Sequence, residues 1–354
     1  MSGVPNTLAP PPDWHGTPRT AWSRRLKLGG GPIGRFILQR VGTGILTLFL
    51  VSILIFMATN ALPGNVAQVV LGKSATQAQT AALETRLGLN EPLITRYLHW
   101  LQAFAHGDMG QSATQLAQGA QSAPVSDLVW PAIRNSLVIA VLAAVVLLPL
   151  AMVMGTWAAS RRDTLVDYTV SYIALVLGSL PEFVLGTLLI VVFFTQLGWL
   201  PPVVLVRPGG SPLDQPDALV LPVLTLLGVA LAFCARQVRA NVVETLGEDY
   251  STMARLNGVR ERRVLSRYAL RNALAPCVQT FAQAIQYLFG GIIVVEALFD
   301  YPGVGNLLVG AVQARDVTLV QAIALVLATS YIAINIVADL AVMLLVPKLR
   351  TASS

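Results

Sequence analysis

Residues 241–275 read NVVETLGEDYSTMARLNGVRERRVLSRYALRNALA. This polar island decides the fold, because the chain on either side of it is apolar. Eight of the 24 Lys and Arg residues fall between Arg236 and Arg271. Locally the stretch reads as helix, turn, helix. Residues 249–256 are good helix formers, Asn257-Gly258 stops them because glycine accepts left-handed backbone, and 260–273 resumes helical character. Tyr250, Met253, Ala254 and Leu256 give the first piece an apolar side, and Arg255, Arg260, Glu261, Arg262 and Arg263 rim it. A small apolar knob with a charged rim suits docking to a soluble partner. The competing reading is an amphipathic pair lying on lipid headgroups.

Outside this island the composition excludes a soluble enzyme. The 354 residues are 55% hydrophobic and 12% charged, with a mean hydropathy of +0.65. Soluble domains carry about twice that charge. Apolar runs predict spans near 36–61, 136–158, 167–197, 218–238, 276–298 and 317–345, each long enough for a bilayer that takes ~20 residues. Pro181 and Glu182 interrupt the third, which reads as one kinked helix or two in succession. Charge sidedness arbitrates. With six spans and an interior N-terminus, 18 Lys and Arg lie inside and 6 outside, whereas splitting the third span leaves 10 inside and 14 outside. The positive-inside tendency selects six. The net charge of +6 is thereby assigned to orientation and not to nucleic acid.

The predicted organisation is then a disordered cytoplasmic tail over 1–35, a first transmembrane helix over 36–61 and an exterior segment over 62–135. A five-helix core over 136–346 follows, with a cytoplasmic loop at 241–275 and a tail over 347–354. The first tail is polar and proline-rich. The exterior segment has apolar residues at helical spacing from Leu83 to Leu101, so it should fold on the outer face. His15, His99 and His106 all lie outside the spans, and Cys234 and Cys277 sit far apart in apolar runs, so neither a metal nor a disulfide is expected. Gly72-Lys73-Ser74 imitates the end of a phosphate loop, but Ala67 stands where its first glycine belongs. Gly303-Val304-Gly305 lacks a third glycine and reads as a turn with Pro302. No HExxH pair or GxSxG elbow occurs, and no catalytic constellation is found.

The 241–275 stretch resembles the EAA loop of ABC importer permeases, with Asp249, Ala254 and Gly258 at the acidic, small and glycine positions, continuing through Arg263, Arg267 and Asn272. Other segments resemble the dipeptide, oligopeptide and nickel branch of that family. They are Arg86-Leu87-Gly88-Leu89 with Pro92 and Tyr97, Gly107-Asp108-Met109-Gly110 with Ser112, and Pro124-Val125. Further along come Ser179-Leu180-Pro181-Glu182-Phe183 with Gly186, and residues 296–305 with Arg315-Asp316. The likeness covers 36–350; Val346-Pro347-Lys348 departs where relatives tend to carry Asp-Pro-Arg. The resemblance implies an all-α polytopic membrane protein of the type I ABC importer permease fold, in a bacterial inner membrane, with both termini cytoplasmic. It implies a second permease subunit, two ATP-binding subunits that hold ATP and Mg, and an extracytoplasmic solute-binding protein. This chain would carry no cofactor and no catalytic residue.

In that reading Asp249, Tyr250, Ala254, Gly258, Arg260, Glu261, Arg262 and Arg263 couple the chain to the ATPases. Pro181, Glu182, Glu296, Asn335 and Asp339 are candidates for the pathway, because ionisable groups inside a membrane face a bundle interior or water. Glu296, near the outer end of its span, is expected to be solvated. Asn335 and Asp339, at i and i+4, suit a polar contact with a neighbouring helix. The rival reading is an ion-gradient-driven secondary transporter or channel, which has no need of a docking loop.

Overall fold

The computed structural model describes residues 32–61, 66–71, 75–206 and 210–345. The tail through residue 31, the 72–74 segment and the departure at 346–348 with the tail after it lie outside the described residues. The elements in chain order are α1 (Pro32–Asn60), α2 (Val66–Leu71), α3 (Gln77–Arg86), α4 (Leu93–Ala105), α5 (Ala113–Ala117), α6 (Ser126–Ser160) and α7 (Leu165–Ser179). They continue with α8 (Glu182–Ile190), α9 (Pro216–Gly247), α10 (Asp249–Leu256), α11 (Glu261–Arg263), α12 (Leu270–Leu298), α13 (Val304–Gln313) and α14 (Val317–Leu345). Among the described residues no β-strand forms.

Five helical stretches are long and apolar enough to cross a membrane: Ile37–Asn60, Ser126–Ser160, Pro216–Gly247, Glu261–Leu298 and Val317–Met343. α7 and α8, the latter extended by a π-helical turn at Val191–Gln196, are together long and apolar enough for a sixth crossing but are bent by 105°. The bend has a local cause. Leu180 precedes Pro181 and is pushed into extended backbone, φ −83° and ψ 131°, which ends α7. Pro181 then flanks the start of α8, and Glu182 sits in its first turn, where a carboxylate suits the helix dipole. A single kinked helix is thus too mild a description of this span.

Three boundaries shift from the sequence expectation, two of them because proline is tolerated inside long buried or lipid-facing helices. α6 starts at Ser126 and runs through Pro131 and Pro149, so the last ten residues assigned to the exterior segment are helix. α12 runs through Pro276 instead of starting there. α9 continues to Gly247, so only the short turn around α10 leaves the paths of the two spans.

The core is the packing of α6 and α12 on α9, with Leu147, Leu221, Leu226, Leu288 and Val295 fully buried or nearly so. α6 lies against α9 closely enough that a Cβ on Gly155 would stand 2.7 Å from the Ala235 carbonyl oxygen and from Val238. α1 is peripheral. It packs along α14, and at one end it meets α4 through Ser52 Oγ and the Tyr97 hydroxyl at 2.9 Å and an edge-on Phe56–Tyr97 ring contact at 5.3 Å. That end of the bundle is capped by α13 and the start of α14 around Met109, Val129 and Ile323, with α2, α3 and α5 in a second cluster around Ala67, Leu83 and Leu116. The opposite end carries α10. We call these the cap end and the hairpin end.

Candidate functional site

The hairpin is built on a helix stop. Gly258 has φ +75°; its N–H donates to the Arg255 carbonyl at 2.9 Å and the Val259 N–H to the Ala254 carbonyl at 3.1 Å. These two bonds satisfy carbonyls that α10 would otherwise leave open, and they need a left-handed residue between them. The turn is also braced from within. Ser251 Oγ donates to the Thr245 carbonyl at 2.7 Å, Arg255 Nη1 to the Leu246 carbonyl at 2.9 Å, and Arg255 pairs with Glu261 at 2.9 Å.

This geometry divides the predicted coupling residues into two sets. Tyr250, Met253 and Leu256 face outward, Met253 60% and Leu256 76% exposed, with Asp249, Arg260, Arg262 and Arg263 exposed around them. Ala254, assigned to the apolar knob by the sequence, instead points inward at 5% exposure beside buried Ser251. A helix of two turns has room for one inward stripe, and 251 and 254 occupy it at i and i+3. Arg255 and Glu261, read as rim, are turned toward each other and hold the two arms together.

The pathway candidates separate as well. Glu296 is not solvated: its side chain is fully buried, accepting from Ser136 Oγ at 2.5 Å and the Gly305 N–H at 2.6 Å, with the Asn306 N–H a further donor. Ser136 Oγ in turn accepts the Val304 N–H at 2.9 Å. Gly303-Val304-Gly305 is therefore more than a turn. It opens α13, and the positive N-terminus of that helix is filled by a carboxylate from the same chain. A Cβ on Gly303 would collide with the Glu296 carboxylate. Asn335 bonds the Tyr331 carbonyl of its own helix at 2.9 Å, not a neighbour. Asp339 pairs with Arg40 of α1 at 3.0 Å, the contact between helices that its position suggested. Glu182 remains half-buried, hydrogen-bonded to the Tyr287 hydroxyl and lying against Gly291 of α12, with Pro181 exposed beside it.

Two buried carboxylates were given no role by the sequence. Asp316 is 1% exposed and accepts from Ser112 Oγ at 2.6 Å and from the N–H groups of Ala113, Thr114 and Leu319 at 3.2, 3.0 and 3.1 Å. It caps α5 and α14 together. Asp167, 2% exposed, takes a two-point contact from the Arg239 guanidinium, with Nη2 at 2.6 Å, and the Asp163 N–H at 3.0 Å. That contact ties the start of α7 to α9. Both residues are ordinary helix-start aspartates in the sequence, and their partners lie 72 and 204 positions away.

Between α7, α9 and α12 lies an open cleft of about 490 Å³ with mostly apolar walls, bordered by Ser179, Arg236, Gln283 and Tyr287. It is of ordinary ligand-pocket size.

Comparison with known proteins agrees with this architecture over nearly all of its length. Residues 149–351 match the model of the binding-protein-dependent transport system inner membrane component, and 33–147 match the N-terminal model of the same component. A protein of Brucella abortus (strain 2308) described as a peptide transport system permease is 34% identical over 314 residues, covering 89% of this chain and 98% of that protein. A glutathione transport system permease of Escherichia coli (strain K12) is 35% identical over 315 residues, with the same 89% and 98% coverage. A peptide ABC transporter permease of Sinorhizobium fredii is 31% identical over 323 residues, spanning 90% of this chain and all of that one. With its helical bundle and five to six candidate spans, the chain belongs to the binding-protein-dependent transport system inner membrane component family, and is a multi-pass inner-membrane permease subunit of an ABC importer.

Proposed function

We propose that this permease forms the translocation pathway for peptides or a related small solute, and that α10 with its flanking turns is the part gripped by ATP-binding subunits. The observation that carries the reading is the braced knob of Tyr250, Met253 and Leu256: apolar side chains exposed on a turn that is held rigid from inside. An apolar centre within a charged rim is the anatomy of a docking surface. Orientation follows from charge. The hairpin end holds the dense arginines, so it faces the cytoplasm with both termini, and the cap end receives a solute-binding protein.

A second permease subunit, two ATP-binding subunits that hold ATP and Mg, and an extracytoplasmic solute-binding protein complete the machine. The chain itself needs no nucleotide site. Its task is mechanical. Closure of the ATPase pair moves α10, and because α10 is continuous with α9 and, through α11, with α12, the motion passes into two core helices as tilt. Bound nucleotide then selects between two access states of similar free energy. The peptide-type cargo is supported by the names of the relatives and by the resemblance in the cap segments.

Two experiments test this. Met253→Asp with Leu256→Asp should leave the chain inserted in the membrane but prevent copurification of the ATP-binding subunits; retained copurification overturns the docking assignment. The assembled complex in proteoliposomes, supplied with its binding protein and ATP, should accumulate members of a peptide panel in preference to metal chelates. Accumulation driven by an ion gradient without ATP would overturn the importer reading.

A further inference from the structure

Helix α4 is amphipathic, yet none of its residues is buried. Its apolar side chains occupy about 160° of the circumference, and the protein covers only half of that sector. Tyr97, Trp100 and Phe104 turn toward the bundle, where Phe56 of α1 meets the first two rings at 5.3 and 5.8 Å and Phe104 packs on the cap core. The other half is bare. Ile94 and Leu98 are 75% and 55% exposed, with Ala105 exposed on the same side. Thr95, His99 and Gln102 take the far side, and His99 pairs with Glu91 at 3.1 Å.

Depth decides what covers the bare half. The membrane span α1 ends at Asn60, and α4 touches it at Phe56 and Ser52, four and eight residues before that end. At a rise of 1.5 Å per residue these contacts lie about 6 and 12 Å inside the end of the span. They cover one turn of α1, whereas α4 has 13 residues, so α4 crosses α1 and does not run beside it. Further from the cap on the same face of α1, Phe49 and Ile45 are 46% and 65% exposed, as suits a surface against acyl chains. The bare side of α4 adjoins that surface at the depth of the boundary between headgroups and acyl chains, where Tyr and Trp rings are enriched. A soluble protein does not reach it.

We propose that α4 is an interfacial helix whose partner is the lipid surface: Ile94 and Leu98 insert among the phospholipids of the leaflet at the cap end, while Thr95, His99 and Gln102 face water. The site selects for depth and apolarity and not for one headgroup. Its consequence is mechanical. The turn after α4 closes through the Asp108 N–H on the Ala103 carbonyl at 2.9 Å and delivers Met109 into the cap core. The bilayer thereby holds the cap at a fixed height over the spans. This role goes beyond cargo and coupling and depends on neither.

The test is fluorescence quenching in the assembled complex with its partner subunits, held in vesicles of phosphatidylethanolamine and phosphatidylglycerol. Bimane is attached to Ile94→Cys, Leu98→Cys or, on the polar side, Gln102→Cys. The parent chain, whose Cys234 and Cys277 are buried, gives the background. A phospholipid carrying a doxyl group close to its headgroup should cause loss of emission from the labels at 94 and 98, and aqueous iodide should not. The label at 102 should behave in the opposite way.

Iodide quenching at 94 and 98 as strong as at 102 overturns the proposal. So does a label at 94 or 98 that ignores the doxyl lipid and responds to added solute-binding protein, the behaviour of a docking face for that protein. A label that ignores both quenchers until the second permease subunit is removed overturns it as well, because the patch is then a subunit contact. All three positions are exposed, and the two apolar ones report independently, so failure of one variant to assemble leaves the other to decide.

Discussion

The cap end and the hairpin end carry similar residues in segments that resemble the same family, yet use them oppositely. At the cap end, Glu296 and Asp316 are buried and saturated, each joining separate pieces of the chain by accepting from a side-chain hydroxyl and from N–H groups at helix starts. At the hairpin end, Asp167 is likewise sealed, by Arg239, but Glu261 pairs with Arg255 at the surface and the apolar side chains of α10 are left uncovered. A resemblance in sequence therefore does not mark a single kind of role. Where the donors of a motif are satisfied within the chain, it holds the fold; where its side chains are bare, it awaits a partner.

Substitutions can break or sharpen that contrast. The largest effect is expected for Asp316→Ala, which leaves four buried donors without an acceptor. A loss of about 3–5 kcal/mol follows from orphaning such a network, read as a large drop in thermal stability in detergent. Asp167→Asn comes next, because it weakens a buried pair without emptying the site. It should cost about 2–3 kcal/mol, the range for a hydrogen bond to a charged group, and adding Arg239→Gln should cost little more, a coupling that a double-mutant cycle measures.

Gly258→Val is a different case. A Cβ there meets nothing within 4 Å, so the penalty is only backbone strain at φ +75°, about 1–2 kcal/mol. Stability should fall little, while ATP hydrolysis in the assembled complex runs on without uptake; unchanged uptake would show that the turn angle does not matter. Asp339→Ala should be smallest. Its pair with Arg40 lies on the outer surface of the bundle near the ends of α1 and α14, with side chains 51% and 32% exposed, and surface pairs contribute about 0–1 kcal/mol. A stability change above that range would place α1 in the core and not at its edge.

Much of the site was legible. Gly258 was placed as a helix stop from its local context, and the turn it makes is the one that glycine permits. Pro181 was placed as a break, and the backbone of Leu180 shows why. Ala254 was misplaced because an eight-residue helix offers too few apolar positions to fix which face turns inward. Glu296 was misplaced because nearness to a span end suggests water, and only the fold brings α13 over it. Arg255 and Glu261 looked like rim charges since nothing in their spacing of six announces that the turn folds them together.

Composition and span length are sums over the chain, and they determined the membrane class and the positions of the long apolar helices without reference to any contact. Local backbone preferences determined the turns, because glycine and proline act on their own residues and immediate neighbours. The tertiary structure alone decided which carboxylates are sealed inside and which charges remain free. A hydrogen bond between Asp316 and Ser112 links positions 204 apart. Burial and pairing of that kind depend on which helices meet, and no pattern along the chain carries that information.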